Sequence, residues 1–99
     1  MTPFIYQNNQ LYCEQIPLAE IATAVDTPVY IYSQTDLIKR AHAYLANAPA
    51  NSHCCFAVKA NSNIHLLKLL GQMGLGADVT SGGELYLAQQ AGIPSERII

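Results

Sequence analysis

From Pro28 onward the chain alternates short apolar runs with stretches of helical period, and this alternation constrains the fold more than any other feature. Val29-Tyr30-Ile31-Tyr32 is a β-branched and aromatic run that reads as a strand. Ser33-x-x-Asp36 follows as a relaxed capping box; Leu37, Ile38, Ala41, Tyr44, Leu45 and Ala48 then share one helical face, and Pro49 ends the helix. Cys54 to Ala60 reads as a second strand, a nearly unbroken apolar run of the kind covered on both faces. Asn61-Ser62-Asn63 offers several N-caps for a helix carrying Leu66, Leu67, Leu70 and Met73, closed by Gly71 or Gly74. Leu75 to Thr80 reads as a third strand. Ser81-Gly82-Gly83-Glu84 fits the S-x-x-E capping box of a third helix, with Leu85, Ala88 and Ala91 inward and Gly92 closing it. Pro94 to Arg97 is a turn, and Ile98-Ile99 looks like a strand just begun.

Strands alternating with helices of this length imply βα units and a parallel sheet, so the fold class is α/β. Three such units cannot close a barrel, which takes eight units and about 250 residues. A chain of 99 residues is therefore expected to be part of a larger enzyme. Residues 28–99 form the βα portion, and residues 1–27 are of another kind. There, Phe4 to Gln7 and Gln10 to Glu14 read as a hairpin around Asn8-Asn9, a pair that tolerates positive φ. Leu18 to Val25 reads as a short helix, broken by Asp26-Thr27-Pro28 because the residue before proline is pushed out of the helical region.

Composition excludes several classes. Half the residues are apolar (51%) and 12% are charged, which is globular material rather than a disordered tail. A net charge of −2 and a pI near 5.8 give no basic footprint for nucleic acid or an anionic membrane. No apolar run approaches the roughly 18 residues of a membrane span, and Met1 to Tyr6 lacks the pattern of a secretory signal. A cytoplasmic location is expected. Cys13, Cys54 and Cys55 have no C-x-x-C spacing and read as buried or half-buried thiols rather than a metal or redox site.

Lys59 is the residue that points to chemistry. It ends the apolar run Phe56-Ala57-Val58-Lys59, where a period of two places Ala57 and Lys59 on one face and Phe56 and Val58 on the other. If the larger pair faces the helices, Lys59 projects inward above a small Ala57, where desolvation favours a neutral, nucleophilic amine. Position alone leaves open a second reading, a lysine at a strand end that reaches to solvent.

The motif around it decides between them. Phe56-Ala57-Val58-Lys59-Ala60-Asn61, followed by Gly76-Ala77-Asp78-Val79-Thr80-Ser81-Gly82-Gly83-Glu84-Leu85 and preceded by Thr27-Pro28-Val29-Tyr30-Ile31-Tyr32, closely resembles the fold type III pyridoxal phosphate (PLP) decarboxylases. Within that group the wording is most similar to the diaminopimelate decarboxylases. The resemblance implies that residues 28–99 are the first βα units of a (β/α)8 barrel and that Lys59 binds PLP. It implies too that residues 1–27 belong to a second, β domain completed by the chain's C-terminal half. The reaction it implies is decarboxylation of an amino acid, meso-diaminopimelate giving L-lysine and carbon dioxide, in a homodimeric enzyme.

Asp78 shares a strand face with Gly76 and Thr80, next to the strand of Lys59, where a carboxylate can hold and orient the lysine's charge. Ala57 and Asp78 join Lys59 as expected cofactor contacts. Glu84 has two readings that stay open: a group near the cofactor, as the resemblance implies, or the glutamate of a capping box. Ser81, Gly82 and Gly83 are small enough to let backbone approach a ligand, although they match no phosphate-loop pattern. Asn61 reads as a helix cap, and His42, His53 and His65 as surface residues. By the resemblance, the phosphate loop, the acidic partner of the pyridine nitrogen, the ring-stacking histidine and the substrate-carboxylate arginine all map beyond Ile99. The chain alone is thus expected neither to bind PLP tightly nor to turn over substrate.

Rival readings are ornithine, arginine or carboxynorspermidine decarboxylases, alanine racemase, and small PLP-binding proteins without turnover. Alanine racemase usually carries Lys-Ala-Asn-Ala-Tyr-Gly, whereas Lys59 is followed by Ala60-Asn61-Ser62-Asn63. The small PLP-binding proteins do not resemble the stretch from Asp78 to Leu85.

Overall fold

In the computed structural model, which describes residues 2–99, Phe4–Gln7 (β1) and Gln10–Cys13 (β2) pair antiparallel. Gln7 faces Gln10 across the ladder, leaving Asn8 and Asn9 as the turn, with φ of 51° and 62°. Positive φ at both central residues is what a tight hairpin turn demands, and asparagine accepts it more readily than most residues. A third strand, Ile16–Pro17 (β3), adds to β2 in the register Cys13↔Ile16, a pairing the sequence reading did not anticipate. Proline is tolerated there because the strand is an edge, and the same Pro17 is the N-cap of α1, Leu18–Val25. Asp26, at φ 71°, ends α1 with its N–H on Ala22 O at 2.8 Å.

The expected strand Val29–Tyr32 is not one. Tyr30 is 90% exposed, and the segment joins neither of the two sheets among the described residues. Branched and aromatic residues favour an extended backbone, but a strand exists only where a neighbour completes its ladder. The helix after it forms as expected. Ser33 is buried, its Oγ accepts from Asp36 N at 3.1 Å, and α2 runs Gln34–Asn47. Ala41 is the buried residue of α2, whereas Tyr44, expected to face inward, is 73% exposed.

The chain divides inside α2 into two compact units, Met1–Arg40 and Ala41–Ile99. In the second, Cys55–Ala57 (β4) and Gly76–Asp78 (β5) pair parallel in the register Cys55↔Gly76, Phe56↔Ala77 and Ala57↔Asp78. Ile98 makes an isolated parallel bridge to Ala77, with Ile99 N on Ala77 O at 3.0 Å and Val79 N on Ile99 O at 2.9 Å. The helices between these strands, α3 (Ile64–Gln72) and α4 (Gly82–Gln90), make the βα pattern.

Their ends show why the sequence stops where it does. Asn63 caps α3 through His65 N, and Ser81 caps α4 through Glu84 N. At the other ends, Gly74 (φ 102°) and Gly92 (φ 85°) sit in the left-handed region. Leu75 N bonds Leu70 O at 3.1 Å and Ile93 N bonds Ala88 O at 3.1 Å, so each helix closes in the same Schellman motif. The residue after each glycine, Leu75 or Ile93, is buried.

The core comprises Val58, Leu67, Ala77, Ala88, Ala91 and Ile93, with Phe56, Ile64, Val79, Leu87 and Ile98 against it. Full burial of Val58 and Leu67 contributes about 1.5–3 kcal/mol each. Leu85, expected inward, is 38% exposed, and Leu87 packs in its stead beside the small Ala88 and Ala91. Gly76 is forced by contact: a Cβ there would collide with the carbonyl oxygen of Arg97 and lie 2.9 Å from Cys55 Sγ. No helix among the described residues is long and apolar enough to cross a membrane.

Candidate functional site

Strand β4 stops sooner than its apolar run suggests. Val58–Ala60, expected to continue the strand, forms a 3-10 turn closed by Asn61 N on Val58 O at 3.1 Å. Val58 opens this turn fully enclosed, and α4 packs on it where Val58 and Ala88 share the core. The turn sets Lys59 immediately after a core anchor, at the carboxyl end of the parallel pair.

The two faces of the sheet separate as a period of two requires. Phe56, Val58, Ala77 and Val79 belong to the core, while Ala57 is half-buried and Lys59, Asp78 and Thr80 are exposed. The desolvated lysine expected from the sequence is therefore not what this chain shows. Within the described residues no layer covers that face, so water reaches the amine. Asp78 sits opposite Ala57 at the last paired position of the ladder, and Lys59 follows in the turn beyond it. The ion pair found among the described residues is Arg40–Asp36, so Lys59 and Asp78 do not form one.

Glu84 is placed by its helix. Its Oε1 accepts from Thr80 N at 2.8 Å and from Thr80 Oγ1 at 3.0 Å, while its own N–H goes to Ser81 Oγ at 3.1 Å. Ser81 thus does its half of a capping box, but Glu84 reaches past Ser81 to the end of the strand segment. Thr80 escaped the sequence reading; the available signal was a hydroxyl on the Asp78 face four residues before Glu84. Asn61, expected to cap the helix, does not: Asn63 is the N-cap of α3, and Asn61 braces it from outside, its Oδ1 accepting from Asn63 N at 3.0 Å. His42, His53 and His65 are exposed, as expected.

These residues bring an exposed primary amine, a carboxylate on the same face and a glycine turn to the carboxyl end of parallel strands. Ligands of α/β sheets bind at that end. There is room as well. A Cβ at Gly82 would meet nothing within 4 Å, and neither Gly82 nor Gly83 has positive φ, so the fold itself does not require glycine at either position. An aldehyde needs an amine that is accessible and space beside it, and the donor set fits a pyridoxal group on both counts. An apolar groove lined by Tyr44, Cys54, Cys55, Phe56, Ala57 and Leu75 reaches Ala57 and stops short of Lys59.

A family model described as the pyridoxal binding domain of pyridoxal-dependent decarboxylases matches residues 34–99. The chain is 50% identical over 94 residues to a diaminopimelate decarboxylase of Aquifex aeolicus, covering 95% of this chain and 22% of that protein. It is 44% identical over 103 residues to a diaminopimelate decarboxylase of Zymomonas mobilis, covering 100% of this chain and 24% of that protein. Among solved structures, a diaminopimelate decarboxylase of M. jannaschii in complex with L-lysine superposes with a TM-score of 0.81 at 28% identity, over 99% of this chain and 25% of that one. The chain thus spans about a quarter of the length of the relatives it matches.

Proposed function

From the premise that this chain belongs to the pyridoxal-dependent decarboxylases, matching their pyridoxal binding domain, we propose that Lys59 is the amine that bonds the aldehyde of pyridoxal phosphate. The observation that carries this reading is the placement of Lys59: an accessible amine just past a fully buried Val58, with Asp78 on the same sheet face. When bound, the pyridoxal group supplies an electron sink for the charge left by a departing carboxylate. The protein's part is positional. Lys59 Nζ carries the covalent bond and, when released, can hold a proton and deliver it to the carbon that has lost carbon dioxide. The Asp78 carboxylate, unpaired with Lys59 in this structure but on the same sheet face, would offset the ammonium charge through space once the site is complete. Ala57 leaves space beside it, and Glu84 contacts the site through the Thr80 turn or directly.

For the whole protein the reading is a cytoplasmic homodimer that converts meso-diaminopimelate to L-lysine and carbon dioxide, a proton replacing the lost carboxyl group. Residues 28–99 would be the first units of its (β/α)8 barrel, and residues 1–27 part of a second β domain. The similarity to diaminopimelate decarboxylases supports this substrate over ornithine, arginine or carboxynorspermidine. The test is carbon dioxide release from each of these amino acids by the full-length gene product. Release from diaminopimelate that is lost in Lys59→Ala is expected; a preference for another substrate overturns the substrate assignment, and undiminished turnover in Lys59→Ala overturns the role of Lys59.

A further inference from the structure

Helix α4 is already capped by Ser81, yet Glu84 receives two further hydrogen bonds, both from Thr80 and both on the same oxygen. In an ordinary capping box the glutamate bonds the backbone of the N-cap residue itself. Here it bonds the residue before, and the hydroxyl contact adds nothing to satisfying the helix's free N–H groups. It ties the exit of β5 to the first turn of α4. The ladder says what stands beside that tie. The ladder ends at Ala57 and Asp78; Lys59 lies two residues past the one and Thr80 two residues past the other, both where the chain leaves the carboxyl end of the paired strands.

We propose that Thr80 is a positioning residue for the Lys59 end of the sheet. By fixing Glu84 and the turn from β5 into α4, it sets where Asp78 and the Ser81–Gly83 backbone stand relative to the reactive amine. The inference rests on the assignment of Lys59 above and goes further, since it gives a role to a residue that touches neither the amine nor the aldehyde.

The test uses the full-length gene product with pyridoxal phosphate, trapping by borohydride, and peptide mapping of the label on Lys59 against Lys68. Thr80→Val removes the hydroxyl and should lower the Lys59-to-Lys68 ratio roughly threefold, the worth of one hydrogen bond. Thr80→Ser keeps the hydroxyl and should hold the ratio at the wild-type value. Helix content by circular dichroism accompanies each measurement: a fall in labelling at unchanged helix content is expected, and a fall that merely tracks lost helix content overturns the positioning role. Selective labelling that is equal in wild type and Thr80→Val overturns this inference alone, as does a loss in Thr80→Ser matching that in Thr80→Val. Labelling spread evenly over the lysines of the wild type overturns the Lys59 assignment and this inference with it.

Discussion

In the unit up to Arg40, the hairpin of β1 and β2 holds through a two-residue turn and its ladder, and the buried side chains among the described residues are Cys13 and Ser33. In the unit from Ala41 onward, side chains far apart in sequence, from Val58 to Ile93, converge on one core. The first is shaped by local backbone chemistry and the second by packing. The difference explains where a reactive group can be held. Lys59 follows Val58, which is fully buried, whereas the hairpin's buried side chain among the described residues is Cys13, at the end of β2.

The largest effect that could break this comparison is a cavity in the second unit. Leu67→Ala should cost about 2–5 kcal/mol in urea unfolding. A cost below 1 kcal/mol would mean that packing does not hold that unit. The counterpart in the first unit is smaller: Asn9→Ala places a Cβ-bearing residue without a helpful side chain at φ 62° and should cost about 1–2 kcal/mol. By NMR its shift changes should stay within β1 and β2. Gly82→Ala sharpens the site argument, because it should stabilise α4 by about 0.5–1 kcal/mol while reducing pyridoxal labelling of Lys59. Equal labelling would show that the glycine leaves no room that matters.

The smallest effect concerns the thiols. Burial, with a lesser contribution from Glu14, pushes the Cys13 thiol up. At mildly alkaline pH less of it is thiolate, and the thiolate is the reactive form. Cys13 should therefore be alkylated more slowly than the half-buried Cys54 and Cys55, with the gap narrowing as pH rises. Equal rates measured by mass spectrometry would place Cys13 outside a buried setting.

Local chemistry was readable and partner-dependent structure was not. Asn8-Asn9 announces the hairpin, and Gly74 and Gly92 announce the helix ends, because each residue answers a demand of its own backbone. Val29–Tyr32 carries strand-forming residues, but whether a ladder completes them is decided elsewhere. The apolar run from Cys54 to Ala60 reads as one strand, yet Val58–Ala60 leaves the ladder as a 3-10 turn, which no periodicity of side chains announces. The phase of α4 was misjudged at Leu85 because Ala88 and Ala91 are too small to announce which flank joins them. Of the proposed site, Lys59 and Asp78 follow from the motif, whereas Thr80 is proposed from the bonds it makes.

Mapping the borohydride-trapped pyridoxal label on the full-length gene product tests the central claim most directly. The account predicts label concentrated on Lys59 and sparse on Lys39 and Lys68, although all three lysines are exposed. An even distribution over the three would contradict it.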